Sequence, residues 1–157
     1  MTVAYIGIGS NLGNKGGNCL KAIELIRQGG LTVSRVSSLY ETAPWGIKNQ
    51  PRFINMAVEI KTGLPPGELL ALLKTIEKKM GRKKSMRWGP RRIDLDILLY
   101  GDLTVRDDAL TIPHPHMHER EFVLEPLSEI APEAVHPVLH KKVSALFAER
   151  RGEGRPE

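Results

Sequence analysis

The chain has a single cysteine, Cys19, among 157 residues. One thiol cannot close an internal disulfide, and with no second thiol nearby it cannot build a thiolate metal site, so its expected role is a small buried side chain. Aromatic residues are also scarce, at 5%, which poorly equips a surface for stacking successive nucleic-acid bases. No run approaches the roughly 18 apolar residues that span a bilayer. The opening MTVAYIGIGS reads as a strand and has no basic stretch, long apolar core and cleavage site of a secretory signal, so the expectation is a cytoplasmic protein. The usual nucleotide cradles are missing as well. GIGSNLGNKGG spells G-x-G-x-x-x-G rather than G-x-G-x-x-G, and Asn14-Lys15-Gly16 does not complete G-x-x-x-x-G-K-[ST]. That stretch reads as a strand-to-helix turn, with phosphate contact as the alternative.

What is present has the balance of an ordinary globular protein, 41% apolar and 26% charged. The length predicts one domain over 1–157, with 150–157 as a frayed tail and a single core burying roughly two thirds of the unfolded surface. A net charge of +5 suits either nucleic acid or a small polyanion, so its distribution matters more than its total. Residues 78–92, KKMGRKKSMRWGPRR, hold eight Lys or Arg and no acid, whereas 93–133 carry more acids than bases.

Hydrophobic periodicity predicts strands at Val3–Ile8, Leu31–Thr42, Phe53–Lys61 and Ile93–Tyr100, with a short one near Leu103–Val105. Val33, Val36, Leu39 and Tyr40 are the expected buried positions of the second. Leu20, Ile23, Leu25 and Ile26 predict a helix over 17–28, and Leu69, Leu72, Leu73, Ile76 and Met80 predict another between Pro65-Pro66 and Gly81. Shorter helices are expected at Glu119–Leu127 and Val143–Arg150. The order β-α-β-β-α-β predicts an α+β, ferredoxin-like α/β sandwich with an antiparallel sheet, packed helices and long active-site loops. Two helices would cover one face and leave the other for function.

In a strand, residues two apart share a face, so Asp94 and Asp96 project together while Ile93, Leu95 and Ile97 point the other way. Two carboxylates roughly 6 Å apart repel by about 3 kcal/mol at an effective dielectric near 20. A hard divalent cation offsets that cost, and Mg²⁺ typically takes one or two carboxylates plus substrate phosphates. A solvated strand face, or an ion pair with Arg91 or Arg92, is the alternative. The arginine-rich segment directly upstream favours phosphate, which arginine forks bind bidentately. Paired carboxylates beside such a segment are what phosphoryl-type transfer needs. Trp45, in the unpatterned loop APWGIKNQPR, is either a ligand contact or tucked into its own loop. The HPHMH run at 114–118 lacks the spacing and partner residues of a zinc site; His114 suits a place beside an anion, or a solvated loop. Glu77 reads as a ligand contact or a surface carboxylate.

Taken together, RWGPRRIDLDILLYG, GIGSNLG, TAPWG, FINMAVEI and TIPHPHMHEREFVLEPLSEIAP resemble the 6-hydroxymethyl-7,8-dihydropterin pyrophosphokinase family of folate biosynthesis, from Met1 to about Pro137. The R-W-G-P-R-x-[IL]-D-L-D-[IL] segment is the specific one. The resemblance implies a ferredoxin-like enzyme that moves pyrophosphate from ATP to the pterin hydroxymethyl oxygen, releases AMP and uses two Mg²⁺ ions. It implies Asp94 and Asp96 as metal ligands, with Arg82 and Arg91 as catalytic arginines. Thr42, Pro44, Trp45, Phe53, Asn55 and Phe122 would bind the pterin. Glu77, Lys84, Trp88, Ile97, Thr111, His114 and Arg120 would bind ATP. The loop from Gly81 to Trp88 is one residue short of the family pattern, leaving Lys83 and Lys84 as alternatives for one contact. Lys74, Ala109 and Pro115 replace the Gln, Arg and Tyr common there.

The partners expected are ATP and hydroxymethyldihydropterin, with no nucleic acid or membrane, acting on a monomer. A nucleic-acid-binding ferredoxin-like domain would carry stacking aromatics on the strand where Asp94 and Asp96 stand. A D-x-D glycosyltransferase would need more chain for its nucleotide-sugar domain.

Overall fold

A computed structural model describes residues 1–42, 52–81 and 92–154. In chain order the elements are β1 (Thr2–Ser10), α1 (Lys15–Gln28), β2 (Thr32–Val36), β3 (Tyr40–Thr42), β4 (Phe53–Thr62), α2 (Pro66–Lys79), β5 (Asp94–Tyr100), β6 (Val105–Arg106), β7 (Thr111–Ile112), a 3-10 turn (Met117–Glu119), α3 (Glu121–Ile130) and α4 (Val143–Gly154).

The main sheet is antiparallel in the order β2-β4-β1-β5, with β3 also pairing β4. Alternation in β1 buries Ala4, Ile6 and Ile8 together with Met56, Val58 and Ile60 of β4 and Leu95 and Ile97 of β5. α1 and α2 cover that face with Ile23 and Ile26, and with Leu69, Leu73 and Ile76. α2 begins with proline in its first turn, ends in Lys78 and Lys79 against the negative end of its dipole, and stops before Gly81 at φ 83°. Burying each leucine of its stripe contributes roughly 2 kcal/mol, so Leu73→Ala would loosen the helix from the sheet.

The opposite face is not left free as expected. α3 and α4 pack there over a second apolar cluster built on Ala57, Leu98, Leu99, Leu124, Leu127, Val143 and Leu146. A register shift between Tyr5 and Ile6 leaves Leu98 as an extra residue on β5. The bulge brings two successive leucines to the α3 side, so one half of this face becomes core and the other stays open.

Other differences have local causes. Leu20 is 54% exposed whereas Cys19 and Ala22 are fully buried, so the apolar stripe of α1 is rotated from the expected one. The single strand expected over 31–42 is two. Ser37 donates its N–H to the Ala57 carbonyl at 2.9 Å and accepts the Ala57 N–H on Oγ at 2.9 Å. Its hydroxyl thus stands in for a ladder carbonyl, the chain leaves the sheet, and Val36 and Leu39 are exposed. The short strand falls at Val105–Arg106 and pairs with β7. α3 continues through Pro126 to Ile130, and α4 continues to Gly154.

Candidate active site

Strand register assembles the open half of the sheet. Gly9 of β1 lies opposite Asn55 of β4 on one side and Asp94 of β5 on the other; Gly7 likewise lies between Ala57 and Asp96. Directly opposed residues share a face, so Asn55, Asp94 and Asp96 all rise from the surface of Gly7 and Gly9, where the Leu98 side chain covers Gly7. At one interstrand spacing each, Asn55 and Asp94 stand roughly 10 Å apart along the backbone.

On the β5 side a cleft of about 300 Å³ is lined by Glu77, Asp94, Asp96, Ile97, Thr111 and His114, together with Leu70, Lys74, Asp107, Asp108, Leu110 and Pro115. Ala109 completes the wall, so Lys74, Ala109 and Pro115 all line this one cleft. The hairpin wall is held by Asp107 Oδ1, which accepts the N–H groups of Ala109 and Leu110, both at 2.9 Å. Both aspartates of β5 are half-buried. Burial pulls the Arg120 guanidinium down from the ordinary arginine range, while Asp96, then Asp94, then Glu119 push it back up. Its positive charge therefore acts on both carboxylates.

Glu77 is not a surface carboxylate. It is 3% exposed, and its Oε2 accepts the N–H of Leu95, between the two aspartates, at 2.9 Å. β5 ends the sheet order among the described residues, so the Leu95 N–H points outward to a side chain of α2. His114 donates its backbone N–H to the Leu98 carbonyl at 3.1 Å, and its Nδ1 accepts the His116 N–H at 3.2 Å. That acceptor role places the ring proton on Nε2. Burial first, then the charges of Arg120 and His116, lower the His114 pKa to about 4, so at neutral pH it is an uncharged donor.

On the β4 side, Asn55 is 9% exposed and its Nδ2 donates to Thr42 Oγ1 at 2.6 Å. Phe53 points from β4 to the same face as Asn55. α3 packs on β4 and carries half-buried Phe122 in its first turn, with the Arg120 guanidinium carbon 5.6 Å from the ring centre. Near its other end, Glu129 accepts from the N–H and hydroxyl of Ser38 and from the Tyr40 hydroxyl at 2.6 Å, tying the helix to the start of β3 and so to Thr42. Pro44, Trp45, Arg82, Lys84, Trp88 and Arg91 lie outside the described residues. Where the chain re-enters them, Lys15 Nζ donates to the Arg52 carbonyl at 3.0 Å and Asn18 Nδ2 to the Arg92 carbonyl at 3.3 Å.

Sequence reasoning missed Asp107, Asp108, Leu70 and Leu110 in the cleft wall, and nothing in their local pattern marks them. It also left Gly7 and Gly9 without a role, although their alternation already placed them on one face. Among the described residues no three or more His, Cys, Asp or Glu converge on a complete metal cage. Two half-exposed carboxylates on one face are the donor set of a hard cation that keeps positions for water and phosphate oxygens, so these residues fit Mg²⁺.

A ferredoxin-like sandwich with paired carboxylates, a neighbouring guanidinium and a neutral imidazole on its open sheet face has the groups that phosphoryl-group chemistry uses. Residues 5–132 match the family of 7,8-dihydro-6-hydroxymethylpterin-pyrophosphokinases (HPPK). The chain is 44% identical over 149 residues to the 2-amino-4-hydroxy-6-hydroxymethyldihydropteridine pyrophosphokinase of Aquifex aeolicus, covering 95% of this chain and 92% of the relative. It is 50% identical over 129 residues to the Bacillus subtilis protein of the same name, covering 82% and 77%. The chain belongs to the HPPK family and is a pyrophosphokinase. A mitochondrial folate synthesis bifunctional protein of Arabidopsis thaliana is 52% identical over 130 residues, which are 83% of this chain but 24% of that protein. A solved HPPK-DHPS in complex with substrates shares the fold, with a TM-score of 0.79 at 16% identity, covering 98% of this chain and 44% of that one. No helix among the described residues is long and apolar enough to cross a membrane.

Proposed function

We propose that this chain transfers the terminal pyrophosphoryl group of ATP to the hydroxymethyl oxygen of 6-hydroxymethyl-7,8-dihydropterin, giving AMP and the pterin diphosphate, as a cytoplasmic monomer. The observation that carries the reading is the row Asn55–Gly9–Asp94. It sets an amide suited to a heterocycle edge roughly 10 Å from a carboxylate suited to metal-bound phosphates. A reaction joining a pterin to a triphosphate needs both on one surface.

Asn55 and Thr42 hold the pterin edge, with Phe53, Phe122, Pro44 and Trp45 around the flat ring. ATP lies along the cleft by Glu77, Ile97, Thr111, His114 and Arg120, and Lys84 and Trp88 complete its contacts. Asp94 and Asp96 would hold the two Mg²⁺ ions, which when bound would supply positive charge to offset the negative charge of the ATP phosphates. The hydroxymethyl oxygen forms its bond to the β-phosphorus and releases its proton to water, while the bond from that phosphorus to the α-phosphate oxygen breaks and AMP leaves with the electron pair. Arg82, Arg91 and Arg120 balance the charge that moves onto the leaving oxygens, and His114 donates to phosphate from Nε2. Phosphorus NMR of a mixture of protein, ATP, Mg²⁺ and the pterin tests the reading: AMP and a pterin diphosphate are expected, and ADP as the product would overturn it.

A further inference from the structure

The glycines at the end of β1 carry no chemistry so far, yet Gly9 occupies the centre of the row. A Cβ built on Gly9 would fall 2.8 Å from Asn55 Oδ1, inside van der Waals contact, and 3.7 Å from Cδ1 of Phe53. The Asn55 amide cannot simply turn aside and keep its contacts. It is 9% exposed, and its Nδ2 is held by Thr42 Oγ1 at 2.6 Å. That bond directs Oδ1 over the backbone of β1 at Gly9, an acceptor beside Phe53.

We infer that Gly9 is a specificity-determining position: its missing side chain lets Asn55 hold the one orientation that reads the pterin edge. The inference rests on the proposed pterin reading of this face. It separates binding from folding, because the atom a Cβ would strike is the end of a side chain, and alanine suits a strand at least as well as glycine does. Gly9→Ala therefore keeps the fold and moves Asn55.

The test joins two readouts on the full chain. In the substrate-free protein, the side-chain NH₂ resonance of Asn55 in a ¹⁵N correlation spectrum shifts in Gly9→Ala, while the variant still unfolds in one cooperative transition within about 8 °C of the parent, the cost of roughly one hydrogen bond. With ATP, Mg²⁺ and hydroxymethyldihydropterin, the KM for the pterin rises about tenfold or more, the loss of roughly one hydrogen bond, while the KM for ATP stays within about twofold. Adding Gly9→Ala to Asn55→Ala changes the pterin KM no further, since the group Gly9 acts through is gone. An unmoved Asn55 resonance, an unfolded variant, an unchanged pterin KM, or a full additional loss in the double variant would each overturn the inference. If the parent protein does not turn over the pterin, the functional reading fails by itself, and the NMR arm still reports whether Gly9 governs Asn55.

Discussion

Single side chains here act through charge state and the face they occupy. Asp94 and Asp96 share a face because a strand repeats every two residues, and each stands half-buried within reach of the Arg120 charge. Asp94→Asn or Asp96→Asn should lower turnover by at least about a thousandfold, since the proposed Mg²⁺ site would lose one of its two carboxylate ligands; steady-state rates beside an unchanged circular dichroism spectrum check it. His114 couples the site to pH. Its imidazole ordinarily titrates near 6.5 and in the folded chain near 4. Between those values the unfolded chain binds the proton and the folded chain does not. Stability is therefore fully present above about pH 6.5 and declines toward about pH 4, by up to ~3 kcal/mol. His136 is lowered as well, mainly by burial, so the clean measurement is a comparison: denaturant unfolding of His114→Gln should lose less stability across that interval than the parent.

At the scale of elements, the site is a sheet edge held by a helix. Glu77 stands eight residues after Leu69, on the buried stripe of α2 itself rather than on its solvent side. From there it satisfies the Leu95 N–H that β1 cannot reach. Glu77→Ala should destabilise the fold by about 1–3 kcal/mol by leaving that buried N–H unpaired, and speed hydrogen exchange at the Leu95 amide. Glu77→Gln keeps a carbonyl acceptor and should retain most of that stability and protection. An Ala variant with a fully protected Leu95 amide would show that the contact does not hold β5. The clasp of Glu129 on Ser38 and Tyr40 plays the corresponding part on the β4 side, joining the helix that carries Phe122 to the strand that carries Thr42.

For the whole molecule, charge is unevenly divided: eight Lys or Arg in 78–92, then ten acids against two bases from 93 to 133. Under the proposed function, a polyanion would be drawn to that basic segment and an uncharged pterin would not. Raising salt from about 0.05 to about 0.5 M should therefore increase the KM for ATP several-fold and the KM for the pterin much less; equal shifts in both would exclude steering by this segment. Local periodicity was enough to read the strand around Asp94 and Asp96 and the buried stripe of α2, because hydrogen bonding repeats every two residues in a strand and about every 3.6 in a helix, whatever lies nearby. It also fixed which side of β5 the two carboxylates take, and motif resemblance named the family. Local pattern could not supply the neighbours across the sheet. Asn55 and Asp94 lie on strands with a whole helix between them in sequence, and only the register of β4, β1 and β5 puts Gly9 between them. Likewise, only packing turned Glu77 inward and brought α3 and α4 over half of a face expected to be open. Strand register and helix docking are set by contacts between residues far apart in the chain, and the spacing of residues along one segment carries no record of them.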